Sequence, residues 1–137
     1  MFDVEYFGGG ALSFLIAFAT AGLFTVAFKL IYQAITPYKE SVLIRQGNTA
    51  AAIVLGGAVL GYVLPLASAL SNTVSLFEFM AWATLAAIIQ IVTFTVVRLL
   101  VMKDMTARIE NGEIAPAVYL FSISIAVGIL NAACMTT

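Results

Sequence analysis

Residues 50–70 read AAAIVLGGAVLGYVLPLASAL, twenty-one residues without a charge. A helix needs about 20 mainly apolar residues to cross a bilayer, and this run meets that length alone. Outward from it, three more runs do the same. Leu12 to Ile35 carries Lys29 as its only charge, Phe79 to Val97 lies between Glu78 and Arg98, and Ile114 to Thr137 is uncharged throughout. None alternates apolar with polar residues, as the strands of a closed membrane barrel must. The expected fold is all-α: an integral-membrane four-helix bundle forming a single transmembrane domain over 1–137. Its helices are expected at about 12–35 (helix one), 50–70 (helix two), 77–102 (helix three) and 114–135 (helix four).

Composition points the same way. Of the 137 residues, 63% are hydrophobic and 9% charged, with a mean hydropathy of +1.09. A soluble domain carries roughly 45–50% apolar and about 25% charged residues, so six basic and seven acidic side chains cannot coat this chain in water. There is no histidine and one cysteine, Cys134. Histidine bases, histidine metal sites, internal disulfides and thiolate clusters are excluded together. A net charge of −1 offers no footprint for nucleic acid. No paired intramembrane carboxylates, nucleophile with base, or ligand cluster is visible. The expectation is a protein that is not an enzyme and takes no cofactor or metal.

Local chemistry punctuates the runs. Met1-Phe2-Asp3-Val4-Glu5 lacks the basic start of a secretory signal, and Gly8-Gly9-Gly10 reads as a flexible lead-in to helix one. Thr36-Pro37 ends that helix, because proline pushes the preceding residue out of helical geometry. Asn48-Thr49 supplies a cap for helix two, Ser71-Asn72-Thr73 a short polar turn, and Asn111-Gly112 a break before helix four.

The basic residues set the orientation. Lys29, Lys39 and Arg45 lie at or near the first long loop, and Arg98, Lys103 and Arg108 at or near the second. The opposite side carries only Asp3, Glu5 and Glu78. The positive-inside rule then places residues 36–49 and 98–113 in the cytoplasm, open to a cytoplasmic protein partner, and both termini in the periplasm.

Sliding the chain by 65 residues superposes helix one on three and helix two on four. Five of eight identities cluster at Ile44/Ile109, Gly47/Gly112, Ala50/Ala115, Ala52/Ala117 and Leu55/Leu120. Two helices separate the copies, so the expectation is two parallel two-helix repeats, about 8–72 and 73–137, related by a pseudo-twofold along the membrane normal. Chance similarity between alanine-rich spans is the competing account.

Several blocks also carry a resemblance. They are Ile35-Thr36-Pro37, Glu40, Leu43-Ile44, Gly47-Asn48-Thr49-Ala50-Ala51, Leu60-Gly61-Tyr62-Val63-x-Pro65-Leu66, and Asn131-Ala132-Ala133-Cys134-Met135-Thr136. The chain resembles the YjfL-type bacterial inner-membrane proteins, a domain-of-unknown-function family. Pro37, Glu40, Gly47, Asn48, Ala50, Gly61, Pro65 and Asn131 stand at the family-like positions. The resemblance implies four transmembrane helices in a bacterial inner membrane with a paired two-helix repeat, and it implies no reaction. The second copy departs from the first where Glu113 stands for Asn48 and Pro116 for Ala51.

Two constellations carry what function the residues suggest. Thr25, Lys29 and Gln33 share a face of helix one, and Gln90 and Arg98 a face of helix three, Thr25 matching Gln90 and Gln33 matching Arg98 under the shift. Polar groups in lipid face a bundle interior or a wet cavity, so the two faces are expected to meet as a polar seam, with Glu113 as acid. The bland account is that Lys29 and Arg98 snorkel to the headgroups. The second constellation is small residues: Gly57-x-x-x-Gly61 on helix two, and Ser13, Ala17 and Ala21 on helix one, the latter expected to close the seam outward against helix three. In lipid such residues bring backbones close, either between copies or inside one chain. Glu40, Asp104, Glu110 and Glu113 are expected to ion-pair locally or favour helix starts, Asn131 to hydrogen-bond across helices, and Cys134 to pack as a small apolar residue. The expected function is a self-associating scaffold or partner-binding subunit, at least dimeric. The alternative is a small channel or transporter for a cation or polar solute.

Overall fold

A computed structural model describes residues 4–36, 39–101 and 104–135. The described chain is helical, with four helices long and apolar enough to cross a membrane. They are α1 (Val4–Ile35), α3 (Thr49–Asn72), α4 (Leu76–Val96) and α6 (Ile114–Cys134). Two short helices, α2 (Glu40–Arg45) and α5 (Met105–Glu110), lie in the long connections, and a π-helical turn, Val97–Val101, continues α4. Pro37, Lys103 and Thr136 fall outside the described residues.

The helix starts follow from side-chain chemistry. Asn48 caps α3 by accepting a hydrogen bond from the Ala51 amide at 3.0 Å, and Ser75 caps α4 through the Glu78 amide. The expected flexible lead-in is not seen: Gly8, Gly9 and Gly10 are helical, inside α1. Each glycine costs about 1 kcal/mol against alanine in a helix. A chain entering lipid must satisfy its backbone internally, however, and the helix simply continues. At 32 residues α1 is roughly 48 Å long, well past a hydrocarbon core of about 30 Å.

The two short helices end alike. Gly47 (φ +83°) and Gly112 (φ +78°) take the left-handed conformation, which a side chain would oppose. Gly47 donates its amide to Ile44 O (3.0 Å) and Asn48 to Leu43 O (2.9 Å); Gly112 donates to Ile109 O (2.9 Å) and Glu113 to Arg108 O (3.0 Å). Both are Schellman turns, each satisfying the last carbonyls of its helix. From α2 to the start of α3, every boundary recurs 65 residues later, from α5 to the start of α6.

The bundle is built around α3. Its eleven buried residues include Gly57, Ala58, Gly61, Tyr62, Pro65 and Leu66, whereas α1 buries only Phe28 and Tyr32. α6 lies along α3 in parallel: the Asn48 side chain reaches Ile109 O at one end, and Ser68 Oγ donates to Ala132 O at the other. α4 rests on both α3 and α6. Aromatic rings fasten α1 to this frame, with Phe28 stacked on Tyr62 at 4.4 Å, Tyr32 edge-on to Phe94 at 4.7 Å and Phe24 edge-on to Phe79 at 6.1 Å. The Tyr62 hydroxyl donates to Ala83 O, tying α3 to α4.

The glycine step is used inside the chain. A Cβ on Gly57 would meet Phe121 Cα at 2.8 Å, and one on Gly128 would run into the Gly61 carbonyl oxygen. Pro65 lacks the amide that would bond that carbonyl in a regular helix, so the Gly61 oxygen is left for the Gly128 Cα–H, a weak hydrogen bond common where helices approach closely. Between the two expected uses of Gly57 and Gly61, the structure puts them at the α3–α6 crossing and not on a free helix-two face.

Candidate functional site

The expected seam divides into separate places. α1 does meet α4, but through Phe24 and Tyr32, with Phe28 on Tyr62 of α3, a stripe one residue out of register from Thr25, Lys29 and Gln33. Thr25 is half-buried and donates to its own helix at Ala21 O. Gln90 turns the other way, into the α4–α6 contact, where its Nε2 reaches Ser124 O at 3.4 Å; its Oε1 is buried without a partner. The reason is helical geometry: Gln90 and Arg98 are eight residues apart, and at 3.6 residues per turn they point about 80° apart.

Arg98 and Lys29 act at the charged end of the bundle. Arg98 Nη1 donates to Ile35 O at 3.2 Å, so its charge sits on the last carbonyls of α1, the end a helix dipole makes negative. Its guanidinium also lies 6.0 Å from the Phe94 ring centre. Glu113, the acid expected for the seam, instead accepts from Arg108 Nε at 3.1 Å across the second Schellman turn. Both partners are substantially exposed, so the pair contributes at most about 1 kcal/mol.

Lys29 faces a group the sequence reading treated as an ordinary ion-pair or capping residue. Glu40, the first residue of α2, is 1% exposed, and neither carboxylate oxygen receives a well-formed hydrogen bond. Burial pushes its carboxyl above the usual glutamate range; nearby Thr36, Gln33 and the Lys29 charge pull it back in part. Lys29 and Glu40 do not close an ion pair. Gln33 Nε2 donates to Ser41 Oγ at 3.2 Å, fastening the end of α1 to the start of α2. The hint in the sequence was the pairing of Thr36 with Glu40 inside one short block, but only the fold shows that α2 turns that carboxylate inward.

The other family-like positions among the described residues make structural contacts. Asn48 serves α3 as cap and also donates from Nδ2 to Ile109 O (2.9 Å) and Glu110 O (3.3 Å), binding one long connection to the other. Ala50 is fully buried, and Pro65 frees the carbonyl at the α3–α6 crossing. Asn131 Nδ2 donates to Ala86 O at 3.4 Å, joining α6 to α4.

The bundle is open around the N-terminal half of α1. Ala21 packs against the core, but Ser13 and Ala17 line a groove of about 410 Å³ against Leu70, Thr73 and Phe79 instead of closing on α4. The rings of Phe24, Phe28 and Tyr32 hold the C-terminal half of α1 in place, while its N-terminal half diverges. A second groove of about 430 Å³ follows, between Phe18, Gly22 and Val26 of α1 and Val63 and Ala67 of α3. Cys134 is exposed at the end of α6, which does not fit the packed position expected for it. Among the described residues no group of histidine, cysteine and carboxylate side chains could hold a metal ion.

Comparison with known proteins adds the family. The model of the Domain of Unknown Function (DUF350) family matches residues 6–135. The UPF0719 inner membrane protein YjfL of Escherichia coli strain K12 is 40% identical over 125 residues, covering 91% of this chain and 94% of that protein. The UPF0719 transmembrane protein YshE of Bacillus subtilis strain 168 is 26% identical over 117 residues, covering 85% and 87%. No solved structure matches the chain significantly. A family model spanning all four membrane helices and a relative matched over nearly its whole length place the protein in the bacterial inner membrane, and the chain belongs to the DUF350 family.

Proposed function

We propose that the protein is a non-enzymatic membrane module that works by assembling with a second copy of itself, α1 of each copy lying on α6 of the other. The observation that carries this is an asymmetry. α4 rests on both α3 and α6, whereas α1, its counterpart 65 residues earlier, rests on α3 and α4 and makes no substantial contact with α6. Under two parallel repeats, the site on α6 equivalent to the one α4 fills on α3 is open. That face carries exposed Tyr119, Ser122, Ala126 and Ala133, and small residues let helices approach in lipid. On α1 the exposed Gly22 supplies a small position for such an approach.

In this reading both termini are periplasmic and residues 36–49 and 98–113 face the cytoplasm, where they are open to a protein partner. The described bases Lys29, Lys39, Arg45, Arg98 and Arg108 all lie at that end. The test is disulfide cross-linking in membranes of a Cys134→Ala protein carrying Gly22→Cys and Ala126→Cys, positions at matching depth. A covalent dimer formed only by the double variant supports the reading. A chain that stays monomeric at all expression levels, by cross-linking and by native mass spectrometry, overturns it.

A second reading, passage of a cation or polar solute, is favoured by the cluster of Lys29, Gln33, Thr36 and Glu40. Solute or ion uptake into proteoliposomes that disappears in Glu40→Gln would support it over the assembly module.

A further inference from the structure

A carboxylate taken out of water is disfavoured unless it is well hydrogen-bonded, and both Glu40 oxygens are buried without a well-formed hydrogen bond at the rim of a membrane domain. Its surroundings can be named element by element. α1 presents Lys29, the one charged group among the described residues whose field acts on it, together with Gln33 and Thr36. α3, which packs against α2, begins with the buried apolar residues Ala50, Ala51 and Val54. Tyr32 is the phenol of that end of α1, and Arg98 is committed to the Ile35 carbonyl. The charge that acts on Glu40 is therefore a lysine that stays short of an ion pair. Holding a bound metal cation beside that ammonium would add repulsion to a donor set of one carboxylate, one hydroxyl and one amide, fewer oxygens than hard cations take.

We propose that Glu40 is a reversible proton-binding site, and that its proton holds α2 docked against α3, so that ionisation lifts the first turn of α2 away from the bundle. Protonated, the carboxyl is neutral and can donate to the side-chain oxygen of Gln33 or Thr36, and the pocket accepts it. Ionised, it must leave toward water and toward the Lys29 ammonium, carrying Ser41 and Leu43 with it. Leu43 is the reporter: half-buried against the core, it becomes more exposed if α2 moves. This site is independent of the α1–α6 assembly, since it lies at the opposite end of α1 from the open grooves.

Two readouts on the full chain in lipid vesicles test it. Infrared difference titration is expected to show a protonated-carboxyl stretch that persists above the ordinary glutamate range and is missing from Glu40→Gln. Lys29→Met removes the charge that favours ionisation, so it is expected to move the midpoint to higher pH. In parallel, the labelling rate of Leu43→Cys, taken relative to the exposed Cys134, follows the ionised fraction. That fraction rises about tenfold between one pH unit below the midpoint and one above, and the rate is expected to rise with it. The absence of the stretch, a stretch that survives Glu40→Gln, a midpoint unmoved or lowered by Lys29→Met, or a flat labelling ratio each overturns the proposal. The Lys29→Met titration keeps it falsifiable should Glu40→Gln fail to insert.

Discussion

Replacing Asn48 by serine and by alanine separates two jobs that one side chain performs. Its Oδ1 accepts from the Ala51 amide at 3.0 Å and caps α3; its Nδ2 donates to Ile109 O at 2.9 Å and Glu110 O at 3.3 Å, in the connection between α4 and α6. Alanine removes all three bonds, while serine keeps a capping oxygen and is too short to reach the other connection. A cap contributes about 1 kcal/mol, and each net hydrogen bond about 0.5–1.5 kcal/mol, with the longer of the two at the low end. Asn48→Ser should therefore cost about 1–2 kcal/mol and Asn48→Ala about 2–3 kcal/mol. Equilibrium unfolding in mixed micelles, titrated with a denaturing detergent and followed by circular dichroism, resolves differences of that size. Serine indistinguishable from the parent would show that the two connections are not held together by Asn48. Serine as damaging as alanine would show that the cap contributes nothing.

Other perturbations separate neighbours that look alike in the sequence. Gly128→Ala and Gly61→Val should fail to yield folded protein, because the new side chains meet backbone across the α3–α6 crossing, whereas Gly56→Ala, with open space around it, should fold like the parent by the same detergent titration. Glu40 has its folded-state pKa raised, so its contribution favours folding below the unfolded glutamate pKa and is lost as pH rises through the folded value. Stability should decline over that interval in the parent and not in Glu40→Gln. Glu113→Gln breaks an exposed pair with Arg108 and should cost less than about 1 kcal/mol. For topology, an alkaline phosphatase fused at the C-terminus is expected to be active and a fluorescent protein dark; the reverse pattern would invert the orientation.

The sequence by itself determined the solvent, the number of spans and most of their ends. Those properties are carried by runs of apolar residues and by local chemistry: proline after Thr36, asparagine at a cap, glycine where φ must be positive. It also marked Gly61, Pro65 and Asn131 as positions to watch. The tertiary structure alone decided which faces meet. α1 was read along Thr25, Lys29 and Gln33, but a helix in lipid has no polar side to betray its inner face, and its aromatic residues, packed against Tyr62, Phe79 and Phe94, chose the neighbouring stripe. Gln90 pairs with α6 because helical pitch turns it away from Arg98. Glu40 is the sharpest case: a glutamate in a charged loop reads as a local ion-pair or helix-start residue, and its burial depends on how a six-residue helix leans on α3. That lean is set by contacts between segments distant along the chain, and local periodicity in the residues around Glu40 carries no trace of it.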